Sequence, residues 1–240
     1  MAFFDKKFCD FCGNRIKFLG NRKLSDGNMC KDCSKDISPN LTGRKKMTVD
    51  DMKEHLAWRE ANKARLAEFN PTRTLGLNTK VYIDDDKGLL LVASGGSYRD
   101  RNVDLIEFSQ VTGCELRIDE SEEEEFQKDA DGQEVSYSPP RYKYEYDFYI
   151  NIHLNHPWFD EIRFIVNPNR ITDRRSLEYR EGDRVANEIK NALQNLHREH
   201  RESVVQASMP KAGVNCPACG ASTIPDANGR CEYCGAALNN

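Results

Sequence analysis

Eight of the nine cysteines fall into four Cys-x-x-Cys pairs, two near each end of the chain. Cys9 and Cys12 are followed after 17 residues by Cys30 and Cys33, and Cys216 and Cys219 are followed after 11 residues by Cys231 and Cys234. Two intervening residues let the backbone close a knuckle that aims both sulfurs at one ion, and a second knuckle completes a tetrahedron. Gly13, Gly220 and Gly235 follow the second cysteine of three knuckles, where the chain has to turn sharply. The fourth knuckle has Ser34 there, and Cys33 instead opens a short helical turn through Lys35 and Asp36. Each cysteine set encloses a turn signal, Asp26-Gly27 in the first and Asn228-Gly229 with Pro225 in the second. The first also encloses apolar Ile16, Phe18 and Leu19.

Zinc is the expected ion, although the spacing by itself also admits an iron–sulfur cluster. Disulfides require an oxidising compartment, and Met1 to Lys7 lacks the apolar stretch of an export signal. A thioredoxin-like redox pair calls for one Cys-x-x-Cys beside a βαβ pattern, not two matched sets. Four thiolates leave no open coordination position for an activated water, so the reading is two structural zinc ions held by Cys9, Cys12, Cys30 and Cys33 and by Cys216, Cys219, Cys231 and Cys234. Neither ribbon carries enough apolar residues to fold alone, so metal binding and folding are coupled, by about 10–16 kcal/mol in peptide systems.

The remaining length, out of 240 residues, accommodates one medium domain. No run of 18 apolar residues occurs, so no membrane span is expected, and the reading is a cytoplasmic protein. Charge is uneven. Residues 1–46 carry 11 Lys/Arg against 5 Asp/Glu, whereas residues 104–138 carry 2 against 12. The basic stretch can meet an anion or nucleic acid, and the acidic stretch repels one.

After the first ribbon (residues 1–40), Thr48 and Asp51 stand at capping-box spacing, with Asp in place of the usual Glu, and open a connecting helix within residues 47–69. Its apolar residues lie on two faces, Val49, Met52 and Leu56 on one and Trp58, Leu66 and Phe69 on another, as expected of a helix packed between two bodies. Strands follow. Val81–Ile83 and Leu89–Ala93 flank Asp84-Asp85-Asp86-Lys87-Gly88, and Leu105–Ile118 gives one or two more. Residues 119–141, acidic and then polar with Pro139-Pro140, read as a hairpin tip or insertion. Phe148–Leu154 and Phe159–Val166 form a last pair, and a helix from Asp183 to His200 carries Val185, Ile189, Leu193 and Leu196 on one stripe. Residues 75–202 thus form an α+β domain, an antiparallel β barrel or sandwich capped by a C-terminal helix. Residues 203–213 are a linker and residues 214–240 the second ribbon.

The Cys9-Asp-Phe-Cys12-Gly13 knuckle, the Leu24-Ser-Asp26-Gly27 stretch and the Cys30-Lys-Asp-Cys33 knuckle resemble an uncharacterised bacterial zinc-ribbon family, domain of unknown function 4428. The strand series from Val81 to Val166 with its closing helix is similar to a pleckstrin-homology-like fold, and Cys216-Pro-Ala-Cys219-Gly220 with Cys231-Glu-Tyr-Cys234-Gly235 resembles generic zinc-ribbon tails. The resemblance implies metal ligands and architecture, and no activity.

Other chemistry-bearing residues have plainer readings. His153 and His156 lack a partner set and read as a strand-end pair rather than metal ligands. Cys114 sits among apolar residues as a core thiol. Gly95-Gly96-Ser97 lacks the rest of a phosphate loop, and Glu122–Glu125 lack the spaced ligands of a calcium loop. Tyr142, Tyr144 and Tyr146 share one strand face, read as packing or a protein contact ahead of base stacking. No nucleophile, base and orienter assemble, so no enzyme is expected. The leading expectation is a non-enzymatic adaptor whose zinc modules present surfaces to a protein partner. The alternative is nucleic-acid binding through Arg15, Lys17, Arg22, Lys23, Arg44, Lys45 and Lys46. Phosphoinositide binding is disfavoured, because the first hairpin loop is acidic where a headgroup needs cations.

Overall fold

Thr48 ends the ribbon segment and starts α1 (Val49–Glu68) through a complete capping box: its hydroxyl accepts from Asp51 N–H, and the Asp51 carboxylate accepts from Thr48 N–H. The computed structural model describes residues 6–17, 19–208, 213–226 and 229–238, so Phe18, Asn228 and part of the expected linker lie outside the described residues. The chain divides into two compact units, Met1–Arg198 and Glu199–Asn240.

In the first unit, a minimal hairpin of β1 (Arg22–Lys23) and β2 (Asn28–Met29) precedes α1. Its turn, closed by Leu24 N–H donating to Gly27 O, packs on the start of the helix. A Cβ on Gly27 would lie 2.3 Å from Val49 Cγ2 and 2.7 Å from Asp10 Oδ2, so only glycine fits that approach. Asp26 accepts from Val49 N–H and satisfies one of the free donors at the helix start. Leu24, Met29 and Met52 are buried together, with Val49 and Leu56 packed around them. The first apolar face of α1 therefore shares one small core with the ribbon.

The expected second face divides: Trp58 packs against the main core beside Phe159, whereas Leu66 and Phe69 meet a four-stranded antiparallel sheet of β3 (Arg73–Gly76), β4 (Thr79–Asp84), β5 (Leu89–Ser94) and β6 (Ile106–Glu107), in that order. Leu66 and Phe69 pack against Leu89, Leu91 and Ala93 of β5, while Leu90 points to the opposite side of the sheet. Covered on both sides, β5 reads as a continuous apolar run rather than an alternation. The acidic hairpin loop between β4 and β5 is used internally: Asp84 accepts from Asn70 and Lys87 N–H groups, and Asp85 takes both arms of Arg73.

A 3₁₀ turn leads to the second sheet, β7 (Val111–Lys128), β8 (Glu134–Leu154) and β9 (Glu161–Ile165). Its inward residues, among them Cys114, Phe148, Ile150, Ile152, Ile162 and Phe164, face Val81, Ile83, Leu90 and Ile106 of the first sheet in one core. The helix α2 (Leu177–Ser208) closes that core with Val185, Ala186, Ile189, Leu193 and Leu196. The architecture is mixed α and β with antiparallel sheets. The barrel form of the expectation is corrected: among the described residues no strand of one sheet pairs with the other, so the body is a sandwich.

Two boundaries also shift. The helix expected from Asp183 begins at Leu177 and includes Gly182, where a Cβ would sit 3.0 Å from the ring of buried Phe148. It also runs to Ser208, six residues into the expected linker. Of the two readings of segment 119–141, hairpin tip or insertion, the structure bears out the hairpin. Its residues continue β7 and β8 as a two-stranded arm in register from Asp119↔Asp147 to Glu125↔Arg141. Cross-strand partners explain why so acidic a strand forms: Glu123 faces Lys143, Glu125 faces Arg141, and three glutamates face tyrosines. Beyond Glu125 the register shifts and residues 137–140 leave the ladder, since Pro139 and Pro140 have no N–H to donate.

In the second unit, β10 (Val214–Asn215) pairs with β11 (Ser222–Thr223), and Arg230 bridges Ala237. No helix among the described residues is long and apolar enough to cross a membrane.

Candidate metal centres

The four knuckles bring their sulfurs together in the sets expected from spacing. Cys9, Cys12, Cys30 and Cys33 form one group and Cys216, Cys219, Cys231 and Cys234 the other, with all ligand atoms of each group within 4.8 Å of one another. A tetrahedral ion with Zn–S bonds of about 2.3 Å places its sulfurs about 3.8 Å apart. Cys12 and Cys30 Sγ are 3.8 Å apart, Cys216 and Cys234 3.6 Å, and Cys219 and Cys231 3.8 Å. These separations are far beyond the roughly 2.05 Å of a disulfide.

The knuckle backbone is arranged for thiolates. Cys30 N–H donates to Cys9 Sγ at 3.2 Å and Cys33 N–H to Cys30 Sγ at 3.3 Å. Burial pushes the Cys9 thiol up, but backbone N–H groups of Cys30, Cys12 and Phe11 outweigh it and bring the group down to about 7. Cys33 moves the other way, raised by burial and by the sulfurs beside it. The second set repeats the split. Cys216 comes down to about 7, where the amides of Cys219 and Ala218 overcome burial. Cys234 rises to about 12, the pull of the Ala236 amide being outweighed by Cys219 and Cys216. Four thiols this close cannot all ionise without a cation among them, and a divalent ion supplies that charge. The donor sets fit two four-coordinate zinc ions, each with no position left for a substrate or water.

The first set is tied to the body of its unit by a buried polar network that sequence patterning missed. His55, Arg59 and Asn62 lie on α1 between Met52 and Leu66, and all five are buried. Arg59 pairs with Asp104, both side chains 1% exposed. Arg59 also donates to Val103 O at 3.0 Å, to Asn102 Oδ1, and to Asp36 O at 3.1 Å, three residues past Cys33. Asn102 Nδ2 donates to Lys35 O and Ile37 O, gripping the 3₁₀ turn that Cys33 opens. Asp104 accepts from Ser38 Oγ at 2.6 Å and Asn40 Nδ2 at 2.7 Å, and His55 Nε2 accepts from Ser38 N–H. Asn62 is bonded through both ends of its amide, to Val103 O and Leu105 N–H. Positions 52, 55, 59, 62 and 66 step by three and four, one stripe of a helix. That spacing is visible in sequence, but nothing local marks the three polar residues on it as buried.

Other candidates resolve individually. His153 lies 3.6 Å from Glu115, whereas His156 stacks on Phe159 and meets Trp58 edge-on. Among the described residues, the two cysteine tetrads are the groups of three or more His, Cys, Asp or Glu able to hold a metal. Cys114 is buried, and burial pushes its thiol up to about 12. Gly95 and Gly96 take positive φ in a turn beside Arg101. Glu122–Glu125 lie on the β7 arm and alternate between its faces, which separates them as ligands. Arg15, Lys17, Lys23, Lys45 and Lys46 are exposed. Arg22 and Arg44 border a shallow depression of ≈ 310 Å³ floored by Ile37, Pro39 and Leu41. Burial pushes the Arg44 guanidinium down, and the Arg22 charge adds to that.

Two closed thiol sets, one in each unit, define a zinc-ribbon-like protein. A family model described as Domain of unknown function (DUF4428) matches residues 7–55, the first tetrad and the start of α1, and the chain is similar to that family over this stretch. No curated protein and no solved structure matches the chain.

Proposed function

We propose that this chain is a non-enzymatic adaptor in which two structural zinc ions rigidify small modules and a pleckstrin-homology-like body presents a protein-binding surface. The four-plus-three arrangement of the two sheets, with α2 closing one core, supports the pleckstrin-homology-like reading. The observation that carries the functional reading is the β7–β8 arm. Beyond Asp119 and Asp147 it adds little to the core, most of its residues are exposed, and its strands pair chiefly with each other. A folded two-stranded element that buries so little is a surface available for contact. Affinity capture with the full chain and with a variant lacking residues 121–144 tests this. A partner recovered by the full chain and lost from the variant is expected. A partner set unchanged by the deletion, or none at all, removes the reading.

A second reading, nucleic-acid binding by the first ribbon, is favoured by Arg22 and Arg44, held side by side with no carboxylate pairing either among the described residues. It predicts affinity that falls steeply with salt. A gel shift at low salt that is unchanged in Arg22→Gln/Arg44→Gln disposes of it.

A further inference from the structure

One face of the β7–β8 arm is a ladder of directly opposed pairs: Glu120 with Tyr146, Glu122 with Tyr144, and Glu124 with Tyr142. The innermost rung is already filled by an arginine of the chain itself. Arg174 lies 3.6 Å from the Glu120 carboxylate, with its guanidinium carbon 5.4 Å from the Tyr146 ring centre and 6.0 Å from that of Tyr179. The opposite face of the sheet holds a second instance. Arg163 sits 4.1 Å over Tyr149 and 3.2 Å from Asp119. In both, a guanidinium stacks on a tyrosine while its N–H groups reach a neighbouring carboxylate. The two outer rungs repeat the innermost one in residue type and register. No Lys or Arg among the described residues pairs with Glu122 or Glu124, and Tyr142 is 45% exposed.

We infer that the rungs Tyr144/Glu122 and Tyr142/Glu124 receive two arginines from an extended basic segment of a partner protein. This deepens the adaptor reading and rests on it. The geometry selects the segment. Rungs two residues apart along a strand repeat every ~6.8 Å, the same step that separates alternate side chains of an extended peptide. An Arg-x-Arg segment laid along the arm therefore puts one guanidinium on each rung. The charge also fits, since residues 104–138 carry 12 acidic against 2 basic residues and attract a cationic segment while repelling nucleic acid. Arginine is favoured over lysine because its plane stacks on the ring and still donates to a carboxylate at its edge.

The test is fluorescence anisotropy with the full-length protein and a labelled peptide of alternating Arg and Ser, beside its Lys analogue. Binding of the Arg peptide is expected, tighter than the Lys peptide, and weakened about tenfold by Tyr142→Leu/Tyr144→Leu. Because those tyrosines also pack, Glu122→Gln/Glu124→Gln provides a second variant that leaves the rings in place and is expected to weaken binding comparably. Glu123→Gln/Glu125→Gln removes the same charge from the opposite face and should leave the Arg peptide bound within about twofold. Equal affinity for both peptides, or equal loss with the opposite-face variant, overturns the inference and leaves only nonspecific attraction. So does self-association of the chain blocked by the tyrosine variant, which would make a second copy the occupant. Partner capture by the full chain that persists in the tyrosine variant overturns the ladder and leaves the adaptor reading standing.

Discussion

Replacing Asp104 with alanine perturbs the one fully buried ion pair among the described residues. The carboxylate accepts from Arg59, Ser38 and Asn40, so its loss leaves a guanidinium, a hydroxyl and an amide short of an acceptor inside the protein. Removing one member of a buried pair typically costs about 3–5 kcal/mol, because the surviving charge stays desolvated. Arg59 retains Asp36 O, Val103 O and Asn102, which holds the expected loss nearer the lower end, at about 3 kcal/mol. That is a large part of the roughly 5–15 kcal/mol that separates folded from unfolded domains. Urea unfolding followed by tryptophan fluorescence suits the measurement. The only tryptophans, Trp58 and Trp158, both lie in the first unit, and Trp58 meets Arg59 at 5.4 Å. Burial also pushes the Asp104 carboxyl up, against the pull of Ser38, Arg59 and Asn40. The pair therefore holds the parts in register at a desolvation cost, and replacing both partners by apolar residues should restore much of the loss. A loss below about 1 kcal/mol for Asp104→Ala would refute the network as a structural tie.

Three further outcomes follow from the same geometry. Asn102→Ala frees the carbonyls of Lys35 and Ile37 beside Cys33, so a chelator should strip one of two zinc ions faster than in the parent while the other is unaffected; two equally affected ions, or none, refutes the coupling. Gly182→Ala gains about 1 kcal/mol of helix propensity but drives a methyl against Phe148, which is fully buried and cannot yield easily, so a net loss of about 1 kcal/mol is expected in thermal unfolding and a gain refutes it. Burial, with Arg59 and His156 nearby, lowers His55 from 6.5 to about 4, and burial does the same to His156. The unfolded chain therefore takes up protons between about 6.5 and 4 that the fold excludes, and stability present above that window falls as pH drops through it. Thiolate protonation acts in the same direction, so the measurement is the difference between parent and His55→Leu, whose pH slope should be shallower.

Much of the candidate site is legible in the chain itself, because a Cys-x-x-Cys knuckle is a local device. Two residues set the sulfur spacing, and glycines at 13, 220 and 235, all with positive φ, supply the turn, so the ligand sets follow from spacing. The capping box at Thr48 and the stripe Val185, Ile189, Leu193, Leu196 are equally local. Contacts between distant segments were not legible. Arg59 and Asp104 are 45 residues apart, and nothing in either neighbourhood marks them as partners. The acidic run 119–125 reads as a hairpin tip or an insertion until its partners on β8 are aligned with it, since a strand judged alone shows its charge and not the lysine, arginine and tyrosines opposite. Sequence alone determined which cysteines can hold a metal, because the spacing within each knuckle is local. Tertiary structure decided that the first centre shares a small core with α1 and is tied to the rest of its unit by the buried network around Arg59 and Asp104, and that an acidic stretch becomes a paired arm with a face of its own. Both depend on which segments meet, and that is settled by burial over the whole chain.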